Sequence, residues 1–283
     1  MNLREALTHG TQMLQAAGID SAALDSAVLL EHVSGASRLD MITADNKSLS
    51  VDDFEMFESL LKRRAQHEPV AYLTGEKEFW GHAFKVRPGV LIPRPDSETL
   101  IATLLTLLPN KQIEGTIAEL GIGSGALLIS MLKECPNLKG FGTDISDDAF
   151  VTAGENALLL GVQERLQLLR NTPEKPWASI LPDKVNIIIS NPPYIATDEI
   201  KTLDADVQNY EPHLALDGGE DGLDCYRDLI STAHEKLMGG GLLLLEIGHT
   251  QAQAVQALLS RSAWAESKVF KDLAGRDLSL IHI

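Results

Sequence analysis

The sequence predicts an α/β chain: a small helical N-terminal domain, then a mostly parallel sheet with helices on both faces. Three observations carry this. Residues 1–70 hold apolar residues at helical spacing and show no strand pattern. From about residue 116, short apolar runs alternate with helical stretches, the order that builds βα units. Between these parts, residues 71–95 switch to hairpin and proline chemistry.

The first helix is marked by Leu3, Ala6, Leu7, Met13, Leu14 and Ala17, with Gly18 placed to end it. Ser21 opens a second run carrying Leu24, Ala27, Val28 and Leu30, closed near Gly35. Ser50 precedes Phe54, Phe57, Leu60 and Leu61, with Asp53 in the third position, close to a capping box. In the linker, Phe79, Trp80, Phe84 and Val86 flank Gly81-His82, which signals a hairpin; Pro88-Gly89 and Pro93-Arg94-Pro95 then punctuate the chain. Asp96-Ser97-Glu98 starts a helix through Leu108, its acids suited to the first turn. The candidate strands are 116–120, 138–144, 166–170, 185–190 and 242–247, with helices such as 126–134 and 147–160 between them. The tail from Lys268 carries two short strand-like runs around Ala274-Gly275-Arg276.

Composition narrows the function classes. At 283 residues the chain has room for two domains. A net charge of −16 is unfavourable for broad phosphate-backbone binding and favours a basic protein partner over duplex DNA. Two distant cysteines, Cys135 and Cys225, read as reduced thiols of a cytoplasmic protein. The eight histidines form no ligand pair, so no metal is expected. Residues 1–5 lack the apolar core of a signal peptide, and no apolar stretch approaches the ~20 residues that span a membrane. Without a heptad or an apolar interface stripe, a monomer is expected.

Two motifs carry chemistry. Gly121-Ile122-Gly123-Ser124-Gly125 follows the first sheet strand and opens a helix, where bare backbone and free N–H groups admit a nucleotide-like ligand. Asp144 ends the next strand, where a carboxylate can accept both hydroxyls of a ribose. Gly121, Gly123 and Ala126 satisfy the dinucleotide pattern equally well, so this motif leaves NAD open; a glycine turn that serves only strand–helix packing is the plain alternative. The second motif, Asn191-Pro192-Pro193-Tyr194, stops a buried strand. Its prolines stiffen the loop and donate nothing. The Asn191 side-chain oxygen and the Pro192 carbonyl can accept the two hydrogens of a planar –NH2 group, and Tyr194 can stack on its plane. Hydride transfer would instead want an acid–base group beside the cofactor. The tetrad suits methyl transfer to an amino or amide nitrogen.

Several blocks of sequence resemble the bacterial release factor glutamine methyltransferases. They are Glu68-Pro69-Val70-Ala71-Tyr72-Leu73-Thr74-Gly75, Glu78-Phe79-Trp80-Gly81 and Val90-Leu91-Ile92-Pro93-Arg94-Pro95-Asp96-Ser97-Glu98. The run 119–125, the tetrad with its neighbours Ser190 and Ile195, and Gly218-Gly219-Glu220-Asp221-Gly222-Leu223-Asp224 belong to the same resemblance. The tetrad alone is shared with adenine and cytosine amino-methylating enzymes; its combination with the linker block is specific. The resemblance implies a substrate-recognition domain over 1–70, a hairpin linker over 71–95 and, over 96–283, a seven-stranded Rossmann-like class I methyltransferase domain using S-adenosylmethionine. It implies as substrate the glutamine of the Gly-Gly-Gln loop of peptide chain release factors, methylated on the side-chain amide N5. Residues Gly121, Ile122, Gly123, Ser124, Gly125 and Asp144 would line the cofactor, with Asn191 between it and the substrate. Asn191, Pro192, Pro193 and Tyr194 would bind the glutamine, with Asn191, Pro192 and Tyr194 catalytic. Three positions depart from the family: Ser97 stands where Thr is usual, Asn171-Thr172 where an acid often approaches the adenine, and Leu278 where Arg is common.

Two further readings compete. An adenine-N6 methyltransferase acting on DNA or RNA would use the same tetrad on a base, against the acidic charge and the absence of a basic, aromatic-rich recognition segment. A cofactor-binding adaptor without activity would have little use for an intact tetrad beside an intact glycine loop. Among other polar residues, Arg94 and Glu98 read as a linker salt bridge, Glu246 as a solvated strand-end carboxylate, and His249 as a surface loop residue. Trp80 and Trp264 read as packing residues.

Overall fold

The computed structural model describes residues 1–43, 48–260, 264, 266–271, 275 and 277–282. They form two compact units, one of residues 1–76 and 204–210, the other of residues 77–203 and 211–283.

The first unit is helical: α1 (Leu3–Ala16), α2 (Ala22–Ser34), α3 (Arg38–Thr43), α4 (Val51–Arg64) and α5 (Val70–Thr74). Asn2 caps α1 with a reciprocal Glu5 bond, and Ser50 accepts from the Asp53 N–H to start α4. Leu3, Leu14, Leu29, Leu30, Phe57 and Leu61 make its core. A buried pair, Arg64 Nε to Asp25 Oδ2 at 2.7 Å, ties α4 to α2, with the Ser21 hydroxyl donating to the same carboxylate.

A hairpin follows, β1 (Glu76–Phe79) and β2 (His82–Lys85), which from Lys77 onward belongs to the second unit. Trp80 and Gly81 both take positive φ, 51° and 71°, the two-residue turn that matches strand twist. Trp80 is held there by its backbone N–H on Glu98 Oε1 and its indole N–H on Glu134 Oε1. Glu98 is thus engaged with the hairpin turn and not with Arg94, whose partner is Glu211 at 2.6 Å. Helix α6 (Glu98–Leu107) starts at Glu98 rather than Asp96. Residues 95–97 form a tighter 3₁₀ turn instead, with Pro95 at its first position.

The sheet follows: β3 (Gly115–Leu120), α7 (Ala126–Glu134), β4 (Leu138–Asp144), α8 (Asp147–Leu159), β5 (Leu166–Arg170), α9 (Trp177–Ile180) and β6 (Val185–Ser190). After α10 (Ala205–Tyr210), which clusters with the helical unit, come α11 (Asp224–Lys236), β7 (Leu237–Glu246) and α12 (Ala252–Leu259), then β8 (Ser267–Lys271) and β9 (Asp277–His282). Five parallel strands run in the order β5-β4-β3-β6-β7, and β9 and β8 continue the sheet antiparallel. The tail strands agree with the two runs read from sequence; Ala274 and Arg276 lie outside the described residues, as does the Leu278 side chain. Strand β7 starts at Leu237, five residues before the expected 242: Leu237 pairs with Val185, the register then shifts across residues 238–241, whose glycines show no side-chain alternation, and regular pairing resumes at Leu242.

The sheet is buried on both faces. Ile117, Ile187 and Ile189 pack with α6 and α7 on one side; Ala118, Val185 and Ile188 pack with Tyr226, Leu229 and Ile230 of α11 on the other. The strand order runs outward from β3 to β5 and resumes with β6 on the other side of β3, and since β3 and β6 are parallel their carboxyl ends share one edge.

Asn156 of α8, fully buried, joins the hairpin to this edge. It bonds both the N–H and the carbonyl of Lys85 and donates to the Ser124 carbonyl. Asn156→Ala leaves those groups unpaired and is expected to cost about 2 kcal/mol or more, measured by urea denaturation; a loss within error of zero would contradict the staple.

Candidate functional site

At the shared edge lies a cavity of ≈ 540 Å³, within the usual size of small-molecule sites. Its floor is the turn after β3. Gly121 and Gly123 take φ of 74° and 53°, and a Cβ built on either would meet no protein atom within 4 Å. Both residues line the cavity, so their backbone is laid bare to a ligand. Ile122 and Ser124 line it too. Gly125 corrects the expectation made for it. It is not among the lining residues, and a Cβ there would strike Ile129 at 2.6 Å, so it serves the packing of α7.

Asp144 closes one end. Its Oδ2 accepts from the Gly123 N–H at 2.9 Å, and its Oδ1 accepts from Ile145 and Ser146. A carboxylate offers about four acceptor sites, and with only one of these three bonds on Oδ2 the side chain keeps capacity to accept from a ribose. Beside it, the lining includes Ile145, Asn171 and Trp177. Asn171 thus stands in the wall where the sequence offered no acid. Trp177 was missed, since a lone Trp in a polar stretch carries no pattern; its indole N–H donates to Asp228.

The other end of the cavity is made by Asn191 and Pro193, with Pro212, Leu214, Ala215 and Cys225. Pro192 and Tyr194, expected to face the substrate, lie outside the lining: Pro192 is buried and Tyr194 packs against the α11 core. The tetrad follows β6, whose pairing with β3 places Leu120 opposite Ser190. The Ser190 hydroxyl donates to the Leu120 carbonyl at 2.6 Å and locks the two strand ends together. Behind the tetrad, Gln251 donates to the Tyr194 carbonyl. A Cβ at Gly222 would fall 2.4 Å from that carbonyl oxygen, and one at Gly218 would fall 2.9 Å from the Pro193 oxygen. These glycines let the 218–224 loop press against the tetrad.

The Asn191 amide N–H donates to the Ser97 hydroxyl oxygen at 3.2 Å, and Ser97 donates to Glu246 Oε2 at 2.5 Å. The Tyr194 hydroxyl reaches Glu246 Oε1 at 3.5 Å. Glu246 is therefore no solvated carboxylate; it is 1% exposed. Sequence reading placed it at the strand end but could not see the turn at Ser97 that covers it. Burial pushes its carboxyl up to about 7; the Ser97 hydrogen bond opposes this, and the Asp96 carboxylate adds to it. Burial likewise raises the Tyr194 hydroxyl, with the Glu246 charge adding to the effect. Glu119, also buried at the cavity, is raised well above the ordinary range by burial, although it accepts from the Leu128 N–H. Glu211, 4% exposed, accepts from the Ile92 N–H and from Arg94, itself a lining residue of the cavity.

Among the described residues no group of side chains could hold a metal ion, and no helix is long and apolar enough to cross a membrane. His249 is exposed, as read from sequence.

Comparison with known proteins gives a consistent picture. Residues 5–75 match the PrmC N-terminal domain family, and residues 93–219 match the methyltransferase small domain family. A release factor glutamine methyltransferase of Caulobacter vibrioides is 38% identical over 98% of this chain and 94% of its own length. One of Moorella thermoacetica is 40% identical over 98% and 96%. A bifunctional methyltransferase of Rickettsia typhi is 35% identical over 96% of this chain, which spans 55% of that protein. Among solved structures, the catalytic domain of human METTL16 with a 3′UTR hairpin superposes with a TM-score of 0.59 at 13% identity, covering 84% of this chain and 85% of that one. A methyltransferase of Pyrococcus furiosus gives 0.54 at 18% identity, covering 72% and 89%. Both likenesses show the α/β methyltransferase fold alone.

The Glu246 carboxyl has a consequence for stability. Between roughly pH 4.5 and 7 the native carboxyl keeps a proton that the unfolded one has lost, so stability falls as pH rises through that window and stays lower above it. Glu246→Gln is expected to lose less thermal stability than the parent protein between about pH 5 and about pH 8. Equal losses in calorimetry would contradict the raised carboxyl.

Proposed function

The chain belongs to the release factor glutamine methyltransferase family, and on that premise we propose that it methylates the side-chain amide N5 of the glutamine in the Gly-Gly-Gln loop of peptide chain release factors. The observation that carries the reading is the shared edge: a bare glycine turn and Asn191 open on one cavity. S-adenosylmethionine is the cofactor this cavity suits. Gly121, Gly123, Ile122 and Ser124 would hold it along the backbone, and Asp144 would accept a ribose hydroxyl. When bound, it supplies an electron-poor methyl group on a sulfonium leaving group.

The chain's own residues then have to present a poor nucleophile, since an amide nitrogen shares its lone pair with its carbonyl. Asn191 has its amide N–H committed to Ser97, and its Oδ1 accepts no hydrogen bond from any described residue. That oxygen, on a residue that lines the cavity, would accept a hydrogen of the glutamine amide; Pro192, outside the lining, would stiffen the loop that carries it. Fixing the nitrogen in this way contributes on the order of several kcal/mol through orientation, and an acceptor aimed at its N–H bond favours positive charge building on it. Tyr194 lies outside the cavity lining, with its hydroxyl turned to Glu246; its part in this reading is to brace the tetrad from behind. The amide proton leaves after the methyl moves, so no general base is required beforehand.

In this reading the helical unit recognises the release factor, the hairpin is the linker, and the seven-stranded class I sheet works in the cytoplasm as a monomer. The net charge of −16 suits a substrate with basic surfaces. Methylation of adenine in DNA or RNA is set aside, because the similarity to glutamine methyltransferases spans both units.

Asn191→Ala is expected to fold and to bind S-adenosylmethionine, yet to methylate a release factor on the order of 100-fold more slowly. Labelled cofactor and mass spectrometry of the modified residue measure this. Full turnover in that variant would mean that Asn191 does not hold the glutamine amide.

A further inference from the structure

We propose that Glu246 and Ser97 decide which end of the Asn191 carboxamide faces the cavity, and so act as positioning residues for methyl transfer; this rests on the function proposed above. A serine hydroxyl has one proton. With Glu246 ionised, that proton goes to Glu246 Oε2, and the Ser97 oxygen can only accept from Asn191. The carboxamide is then held by its NH2 end, and its oxygen is turned away from Ser97. The oxygen is the end that can receive the hydrogens of a substrate amide.

A proton on Glu246 Oε2, which stands 2.5 Å from Ser97 where Oε1 has only the 3.5 Å contact with Tyr194, reverses the chain. The carboxyl donates to Ser97, whose own hydrogen is then free to point at Asn191. The carboxamide is held by its oxygen and turns its NH2 group toward the incoming amide, donor against donor. An unpaired polar contact of that kind in a buried site costs more than the lost hydrogen bond.

The surroundings keep the carboxyl near this divide. Asp96 and Arg94 act on it with opposite sign from the preceding turn, and the Tyr194 hydroxyl faces it from the tetrad. From α11, the Tyr226 hydroxyl donates to the Glu246 backbone carbonyl at 2.8 Å, which fixes the strand end without touching the carboxylate. These are the titratable and charged groups facing it among the described residues. With its carboxyl raised to about 7 by burial, Glu246 changes state in the neutral range. A group needed only to fill space would be cheaper as an apolar residue, because burying a carboxylate costs desolvation.

The test uses the full chain with three variants. Ser97→Ala is expected to lower kcat on the order of 10- to 100-fold, with the dissociation constant for S-adenosylmethionine unchanged in equilibrium titration. Ser97→Thr, which keeps the hydroxyl, restores kcat. Glu246→Gln retains an oxygen that can accept from Ser97 but has no proton to gain. Its kcat profile is therefore flat where the parent protein loses rate on the acid side of neutrality. A readout independent of turnover is the side-chain amide resonance of Asn191 in the ligand-free protein, which should titrate near neutrality in the parent protein and not in Glu246→Gln. Full kcat in Ser97→Ala, or an Asn191 amide that fails to titrate or titrates alike in Glu246→Gln, would overturn the proposal. An amide that titrates as expected in a protein that methylates no release factor would instead uphold the relay and sink the functional reading.

Discussion

The structure depends on one pairing, β3 beside β6, with Leu120 opposite Ser190. Each strand delivers a different half of the chemistry at its carboxyl end, a bare glycine turn from one and a stiff amide-bearing loop from the other. Parallel strands buried on both faces cannot slip in register without exposing apolar side chains, so the two halves stay in step. The Ser190 hydroxyl on the Leu120 carbonyl adds a cross-strand tie at the last residue before both loops.

Around that edge the chain buries three carboxyl groups, Glu119, Glu211 and Glu246. Each is held differently: Glu119 by a helix N–H, Glu211 by Arg94 and the Ile92 N–H, Glu246 by a serine hydroxyl. Of the three, Glu211 has a cation as a direct partner, while Glu119 and Glu246 have none among the described residues and are driven upward by burial. Desolvation is tolerated because each carboxyl fixes a wall of the cavity that apolar packing could not orient.

Much of this was legible in the sequence. Four strands and the helix over 126–134 stand within a residue of where periodicity placed them, because buried parallel strands read as continuous apolar runs. The tetrad and the glycine turn announced themselves through proline and glycine, whose backbone demands do not depend on distant residues. What escaped depends on partners far along the chain. Glu246 meets Ser97 across 149 positions, and Arg94 meets Glu211 across 117. Gly125 looked like its neighbours 121 and 123, and only the three-dimensional approach of Ile129 separates a packing glycine from a bare one.

The contact of Gly218 and Gly222 with the carbonyls behind the tetrad bears on how this site can be altered. On that side backbone packs against backbone, and the Gln251 side chain there is committed to the Tyr194 and Gly222 carbonyls, so little can be trimmed without loosening the loop. The side chains that line the cavity beside the tetrad are Leu214, 63% exposed, Ala215 and Cys225. Engineering toward a bulkier or branched carboxamide therefore has one plastic direction, and libraries aimed at those three positions would explore it without unsettling the rigid half.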